Sequence, residues 1–470
     1  MKKNLLLSYV SGIVDKEHGQ DFNSITHYFF PEFITAVILY SLPILIDARW
    51  IAQLHSTAAY ATLGMTNTLL HSIIKVAEGL SVGTIIMTGQ RNGLGQKKES
   101  GKVLVNAFWT TIFAGSFLAL GLYLGAGRLY VWYGMPSDMM ALGIPFLRIR
   151  ACGVFFMFLY FALIGFLRGI KNTQTPMHIF MLGCGIFLIV DYLLIFGNFG
   201  FPALGLYGSA VAWVLQYAIM SALGLWYIMT SQEVVAYEID FLGSFASWGA
   251  IKELFSVSLP VMIDKAALSW SYVWLGYCLA PLGTRILASF SVVKDLERFA
   301  LLPAIAFAQV ITFLVSNDYG KKDWDGIKST IKKIVFLSSI AVFFVLFACS
   351  LWPFEVIRIF DFKGEFTSFA ATAFPIISVL AFFDVLQLVL AGALRGAANV
   401  KVVMWTRVVT CLFVFAPLAY TFSRMSIENV VLKFVLVYSS LYVCNAVMSL
   451  IYIKRFRRES WKRKALKDIA

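Results

Sequence analysis

The stretch GFLRGIKNTQTPM, from Gly165 to Met177, returns as GALRGAANVKVVM from Gly392 to Met404. The two copies are identical at six of thirteen positions and are separated by an offset of 227 (392 − 165). Each copy separates two long apolar runs. A shared register in the same sequence context indicates that the chain consists of two homologous halves, roughly 1–235 and 236–470.

The composition is that of a polytopic membrane protein. Of the 470 residues, 59% are hydrophobic and 14% are charged, and the mean hydropathy is +0.77. A soluble domain carries about a quarter charged residues. The apolar residues form blocks of about twenty, which is the length that crosses the hydrocarbon core of a bilayer. The sequence therefore predicts an all-α membrane protein with twelve transmembrane helices in two pseudo-symmetric six-helix lobes.

The predicted spans set the domain limits. A lead-in at 1–32 precedes an N-lobe at 33–235 with helices 1–6, and a C-lobe at 236–453 with helices 7–12 precedes a basic tail at 454–470. The twelve spans are predicted at 33–54, 60–88, 103–126, 142–167, 177–197, 205–229, 249–277, 285–314, 333–354, 371–394, 403–423 and 431–453.

The basic residues predict the orientation. The formal charge is +13, and one set of alternate loops holds thirteen lysines and arginines against six in the other set. The richer loops contain Arg91, Lys97, Lys98, Lys102, Arg168, Lys171, Lys321, Lys322, Lys328, Lys332, Lys333, Arg395 and Lys401. These loops, and with them both termini, are predicted to be cytoplasmic in a multi-pass protein of the cell (inner or plasma) membrane. The first residues, MKKNLLLSYVSGIVDKEHGQ, are predicted to be an uncleaved cytoplasmic segment. Nucleic-acid binding is not expected, because the charge forms no continuous face.

Further landmarks support the repeat. Gly95 pairs with Gly320 at an offset of 225, and Leu54 pairs with Leu282 at 228.

Six spans per half place both halves in the membrane in the same direction, so their symmetry axis follows the membrane normal. Transporters of this plan bind substrate between the halves and alternate access by rocking. The repeated motif is predicted to form conformational corner loops, with glycines supplying the turn and arginines anchored at head groups. Its residues are Gly165, Arg168, Gly169, Gly392, Arg395 and Gly396.

Seven acidic residues fall inside predicted spans, where an ionised carboxylate is costly and indicates function. They are Asp47, Glu78, Asp191, Asp264, Asp295, Glu297 and Asp384. Gln387 lies one turn from Asp384 on the same face and is a further candidate cleft residue, with Asp295, Glu297 and Glu78. The alternative for several acids is a local ion pair. The pairs considered are Asp47 with Arg49, Glu78 with Lys75, Asp264 with Lys265, and Asp295 with Arg298.

The sequence resembles the multidrug and toxic compound extrusion (MATE) family of the MOP flippase superfamily. The resemblance rests on the LRG motif and on four stretches that cover both halves. These are GLSVGTIIMTGQRNGLGQ (Gly79 to Gln96), DYLLIFGNFGFPALGLYGSAVA (Asp191 to Ala212), APLGTRILASF (Ala280 to Phe290) and FFDVLQLVLAGALRG (Phe382 to Gly396). The resemblance implies twelve helices in two lobes and export of amphipathic, often cationic, compounds against inward flow of H⁺ or Na⁺.

The resemblance also implies cation-coupling residues. Asp384 matches the tenth-helix acid of the NorM-like branch, and Asp191 matches the fifth-helix acid of the DinF-like branch. Phe187 stands where that branch has an Asn one turn earlier. Asp47 matches the first-helix acid. The seventh-helix Glu of the family falls near Leu268, so Asp264 would substitute from one turn away.

The predicted function is secondary active efflux by antiport with H⁺ or Na⁺, with a small organic substrate and the lipid bilayer as partners and the chain as a monomer. The alternative is a flippase of lipid-linked oligosaccharides on a similar plan. An enzyme is not expected, because the five histidines are scattered and no HExxH, GxSxG or Walker pattern occurs. The six cysteines fall singly. We therefore expect no catalytic residue, metal or cofactor apart from the coupling ion.

Overall fold

A computed structural model describes residues 9, 12–14, 17–40, 42–243, 247–358, 361 and 366–462. Within these ranges the chain is helical and contains no strand. The predicted lead-in and the predicted tail lie partly outside the described residues, at 1–8, 10–11, 15–16 and 463–470.

Eighteen α-helices make up the described part of the chain. In the first half they are α1 Phe22–Tyr40, α2 Leu42–Ala52, α3 Thr57–Gly93, α4 Lys97–Trp132, α5 Ser137–Gly169, α6 Gln174–Phe196, α7 Leu206–Thr230 and α8 Gln232–Val235. In the second half they are α9 Trp248–Leu279, α10 Thr284–Ala300, α11 Leu302–Gly320, α12 Trp324–Leu351, α13 Pro353–Arg358, α14 Thr367–Leu380, α15 Phe382–Gly396, α16 Val400–Thr410, α17 Ala416–Arg424 and α18 Val430–Arg457. A π-helical turn, Cys411–Phe415, joins α16 to α17.

The helices confirm the predicted all-α polytopic fold. Eight spans are long and apolar enough to cross a bilayer without a break: α3 to α7, α12, α16 with α17, and α18. Two more are bent pairs, α10 with α11 at 46° and α14 with α15 at 42°. The remaining two predicted spans, the first and the seventh, correspond to α1 with α2 and to α9. Helix α1 begins at Phe22, so the end of the predicted lead-in is helical.

The chain divides into two compact units. The N-terminal unit is Ile34–Met262, and the C-terminal unit consists of the described residues up to Phe33 and from Ile263 onward. Both divisions fall inside a helix, α1 and α9. The predicted lobe limits of 33–235 and 236–453 describe the sequence repeat and stay a prediction.

The repeated motif packs in the same way in each unit. A methyl group added at Gly165 would lie 2.8 Å from the carbonyl oxygen of Ser81, and one at Gly392 would lie 2.7 Å from that of Ala308. Ser81 and Ala308 are themselves related by the same offset of 227 (308 − 81). The motif glycines therefore allow close helix packing between α5 and α3 and between α15 and α11.

The predicted role of these glycines in the turn is wrong. Gly165 and Gly392 lie inside helices, and the left-handed turn residues are Lys171 (φ 69°) and Ala398 (φ 53°), again at an offset of 227 (398 − 171). The predicted pairing of Gly95 with Gly320 is also two residues out of register. Gly95 (φ 78°) corresponds to Lys322 (φ 60°), because both supply the left-handed residue after a long helix.

The two termini of the described chain pack on the beginning of α12. Lys333 is 2% exposed and donates to the backbone carbonyls of His18 and Gln20. Trp461, which is fully buried, stacks edge-on against Trp324. Lys333, assigned to a basic loop on sequence grounds, is therefore a buried contact to the lead-in rather than a solvated loop residue.

Gly392→Ala is expected to lower the free energy of unfolding by about 1–3 kcal/mol, because the added methyl overlaps a backbone carbonyl that cannot move alone. Thermal unfolding of the detergent-purified protein measures the effect. Gly185→Ala is the matched control, since a methyl group there meets nothing within 4 Å. Equal melting temperatures for the two variants would contradict the close-packing interpretation.

Candidate functional site: two buried acidic clusters

The N-terminal unit buries an arginine between two predicted acids. Arg150, on α5, is 3% exposed, and its Nη2 lies 3.6 Å from Oδ2 of Asp47 on α2. The guanidinium donates to Oδ1 of Asn67 at 2.8 Å and to Oγ of Ser209 at 3.1 Å. It also interacts electrostatically with Asp191 on α6. Five helices thus meet around one guanidinium group.

Asp191 is the least satisfied member of this cluster. It is fully buried, and neither carboxylate oxygen accepts a hydrogen bond from any described residue. With both acids ionised, the cluster has a net charge of −1, because one arginine faces two carboxylates. Burial of an uncompensated charge is costly, so the cluster favours uptake of one further positive charge. Phe187, one turn earlier, is buried in the apolar core and offers no polar ligand.

The local pair considered for Asp47 does not form. Asp47 and Arg49 are two residues apart on α2, and residues at that spacing do not face each other on a helix. The structure places Arg150 beside Asp47 instead.

The C-terminal unit contains a second cluster around Asp384 and Glu297. Asp384 and Glu297 lie close enough to interact electrostatically, and Nδ2 of Asn445 donates to Oδ1 of Asp384. The hydroxyl of Tyr438 donates to Oε2 of Glu297, and that of Tyr442 donates to Oε1 at 2.6 Å. Both acids are buried, with 5% and 2% of their surface exposed. Three donors from α18 therefore hold a pair of facing carboxyl groups.

Both acids lie next to a helix break. Glu297 is four residues before Leu301, where α10 bends into α11, and Asp384 is three residues after Ala381, where α14 bends into α15. Broken spans at substrate and ion sites are a recurrent feature of transporters. The corresponding spans of the N-terminal unit, α3 and α5, are single helices. The helix breaks beside these two acids are therefore specific to the second half.

The proximity of the two carboxyl groups favours the uptake of one proton. Two facing carboxylates repel when both are ionised, so such pairs hold one shared proton. Asn445, Tyr438 and Tyr442 stabilise the single remaining negative charge by donating to it. The arrangement is therefore chemically suited to hold one proton between two acids.

The other candidate residues separate into different settings. Gln387 is buried beside Tyr452, and its amide nitrogen has no hydrogen-bond partner among the described residues. Asp295 is largely exposed and lies 3.8 Å from Lys294. The predicted local pair of Glu78 with Lys75 is confirmed, at 3.0 Å.

Asp264 lies between two arginines. Arg407 Nε donates to its Oδ1 at 2.5 Å, and Arg395 of the repeated motif donates to its Oδ2. Lys265 was the local alternative for Asp264, but adjacent residues point to different sides of a helix. Arg395 is thus an intramolecular partner rather than a head-group anchor. A carboxylate already held by two guanidinium groups has little capacity for another cation. A coupling role of Asp264 stays a prediction.

Sequence reasoning missed the basic members of both units. Arg150 and Arg407 fall inside the predicted spans 142–167 and 403–423, where a base is as unusual as an acid. Tyr438, Tyr442 and Asn445 follow the spacing of one helix face, which was a second available signal. Among the described residues, no group of three or more His, Cys, Asp or Glu is arranged to hold a metal ion.

Comparison with known proteins agrees with the repeat. The MatE family matches two stretches of the chain, residues 33–193 and 260–421, whose starting points differ by the same offset of 227 (260 − 33). Together they cover more than half of the sequence. The chain belongs to the MATE family. As a member of this family of transporters, it is a multi-pass membrane transporter and not an enzyme.

Curated relatives and solved structures extend this result. The probable multidrug resistance protein NorM of Thermotoga maritima is 24% identical over 345 residues, covering 73% of this chain and 74% of that protein. NorM of Rhizobium meliloti is 24% identical over 365 residues, covering 76% and 77%. A MATE crystal structure in the bent conformation has a TM-score of 0.84 at 19% identity and covers 99% of this chain and 100% of that one. An outward-facing MATE transporter of the MOP superfamily has the same TM-score at 18% identity and covers 94% and 96%. The structural similarities establish the fold.

Proposed function

We propose that this transporter exports amphipathic organic cations in exchange for protons. The observation that carries the proposal is the buried, neighbouring pair of Asp384 and Glu297, whose carboxyl groups accept hydrogen bonds from Asn445, Tyr438 and Tyr442. A site that holds a proton or a cationic substrate, but not both, couples the two flows by competition. The names of the curated relatives, probable multidrug resistance proteins, support an organic substrate.

The groups around the carboxyl pair favour H⁺ over Na⁺ as the coupling ion. Asn445, Tyr438 and Tyr442 all donate hydrogen bonds to the carboxylate oxygens. A hard metal cation needs several oxygen ligands that direct lone pairs toward it. Donors aimed at the same oxygens compete with such a cation, but they are compatible with a proton shared between two acids.

The cluster of Arg150, Asp47 and Asp191 supplies a second exchange site in this proposal. Its resident guanidinium neutralises one of the two acids, which leaves a single charge to be compensated. A proton on Asp191 compensates that charge without any further ligand. An organic cation would compensate it from outside. We therefore assign Asp191 and Asp384 as the principal coupling acids, one in each unit.

The distribution of basic residues supports an orientation with both termini cytoplasmic and a location in the cell membrane. The alternative function, transport of a lipid-linked oligosaccharide, requires a site for a diphosphate. The two acidic clusters do not favour it. In each cluster the carboxyl groups outnumber the guanidinium groups, so the cluster would repel a diphosphate rather than bind it. Cationic substrates fit both clusters better.

Efflux from proteoliposomes tests the coupling ion. We expect a cationic dye to be transported under an imposed pH gradient and not under a Na⁺ gradient at constant pH, because the carboxyl pair binds a proton. Dye movement is followed by fluorescence, with both gradients collapsed by ionophores as the control. Transport driven by the Na⁺ gradient alone would overturn the assignment of H⁺. Transport under neither gradient with any dye of a chemically diverse panel would overturn cation export itself.

A further inference from the structure

A groove on the exposed surface of the N-terminal unit has no part in the sites described above. It lies between α4, α5 and α7 and has a volume of about 440 Å³. Its lining includes Tyr123, Pro145, Arg148, Ile149, Val214 and Leu215. The surrounding surface of α4 is apolar and exposed, with Phe117 at 81% and Leu124 at 68%. Such a surface is solvated by lipid chains.

Arg148 is the only charged residue among those lining the groove, and it forms no ion pair with any described residue. Its Nε donates to the backbone carbonyl of Tyr123 at 3.3 Å, and the guanidinium lies 5.5 Å from the centre of that ring. These contacts orient the side chain and leave its terminal nitrogens without a hydrogen-bond partner among the described residues. An arginine on a lipid-facing helix is costly unless an anion or water compensates it.

The depth of the groove places Arg148 near lipid head groups. Tyr123 is 21 residues after Lys102 on α4, which corresponds to about 31 Å of helix. The hydrocarbon core is about 30 Å thick. If Lys102, in the charged first turns of α4, marks one interface, then Tyr123 and Arg148 lie at the opposite one. Tyrosine and arginine are both typical of that zone.

We infer that this groove binds a phospholipid, with its phosphate on Arg148 and an acyl chain along Val214 and Leu215. A planar guanidinium presents paired N–H donors that match a phosphate, and the remaining lining matches a hydrocarbon chain. The lipid belongs to the leaflet opposite the charged beginning of α4, which is the outer leaflet in the proposed orientation. An anionic phospholipid fits best, because it also neutralises Arg148.

Native mass spectrometry of the full chain tests the inference. Delipidated protein in detergent is titrated with dioleoyl phosphatidylglycerol, with dioleoyl glycerol as a probe that has the same chains without phosphate, and with inorganic phosphate. We expect one phosphatidylglycerol to bind most tightly. Arg148→Gln is expected to weaken that binding about tenfold, the loss of one charge-assisted contact. Arg128→Gln, which removes another exposed charge, from α4 and outside the groove lining, is expected to leave it unchanged.

A second variant tests the chain-binding half of the groove. Leu215→Trp fills the apolar wall without changing the charge, and we expect it to reduce phosphatidylglycerol binding while Arg148 is intact. Equal binding of dioleoyl glycerol, or of inorganic phosphate, would overturn the inference, because recognition requires both parts of the lipid. An equal loss in Arg128→Gln would also overturn it, since it would indicate general surface charge. Unchanged phosphatidylglycerol binding in Leu215→Trp would overturn the inference as well.

Discussion

Asp384→Asn is expected to reduce proton-driven efflux to the leak of protein-free liposomes. The asparagine keeps the size of the side chain but cannot bind or release a proton, so Glu297 is left without the second acid with which it shares the coupling proton. The Asp384 side chain is 5% exposed and accepts a hydrogen bond from Asn445. The variant replaces one of its two carboxylate oxygens, which accept hydrogen bonds, by an amide nitrogen, which donates them. Efflux of a cationic dye under a fixed pH gradient measures the effect, with protein incorporation determined for each preparation.

Two companion variants make this result specific. Glu297→Gln removes the second half of the carboxyl pair, and we expect it to impair efflux strongly, since the shared proton loses one of its two sites. Asp295→Asn is the matched control from the same helix. Its side chain is 60% exposed and its only described partner is Lys294 at 3.8 Å, so we expect near wild-type transport. Wild-type efflux in Asp384→Asn would show that coupling does not run through this pair.

The sequence predicted the fold through the offset of 227 between its two halves. That offset recurs in the contacts of Gly165 and Gly392 and in the left-handed residues Lys171 and Ala398. The predicted turn-forming role of the glycines was wrong. A glycine just before a turn gives the same sequence pattern whether it forms the turn or allows two helices to pack closely. The position of Gly165 inside a helix, and the 2.8 Å between a methyl group added there and the Ser81 carbonyl oxygen, distinguish the two roles.

The acids were found from sequence, but their partners were not. Lys75 and Glu78 are three residues apart, and this pair forms because that spacing brings side chains together on a helix. Asp47 and Arg49, at a spacing of two, point apart. The partner of Asp47 is Arg150, which is distant along the chain and lies on another helix. Pairing at such a separation depends on how helices pack, which the local pattern does not contain.

The arginines at 148 and 150 illustrate the same limit. They are two positions apart on α5, so their side chains leave the helix on different sides. Arg150 is 3% exposed in an acidic cluster, and Arg148 is exposed in the surface groove. The sequence RIR predicts that the two residues differ in direction. It does not predict which one faces the interior.

Asp264→Asn is expected to lower the free energy of unfolding by about 3–5 kcal/mol, the usual cost of removing one partner from a buried ion pair. Arg395 and Arg407 would then lie in the protein interior with an amide in place of the carboxylate that compensates them. Titration of the detergent-solubilised protein with a denaturant measures the loss. Glu99→Gln is the matched control, because it removes a carboxylate from the exposed pair with Lys102 and should change stability by less than about 1 kcal/mol.

The double variant Asp264→Asn with Arg407→Met is expected to recover part of the lost stability, since it removes one of the two uncompensated charges. Arg407 is 2% exposed, so a methionine of similar length fills the same space. Transport distinguishes this structural role from the coupling role that the family resemblance implies for Asp264. A variant of normal stability that fails to transport would establish Asp264 as a coupling acid. A destabilised variant whose folded fraction transports normally would establish it as the ionic link between α9, the repeated motif and α16.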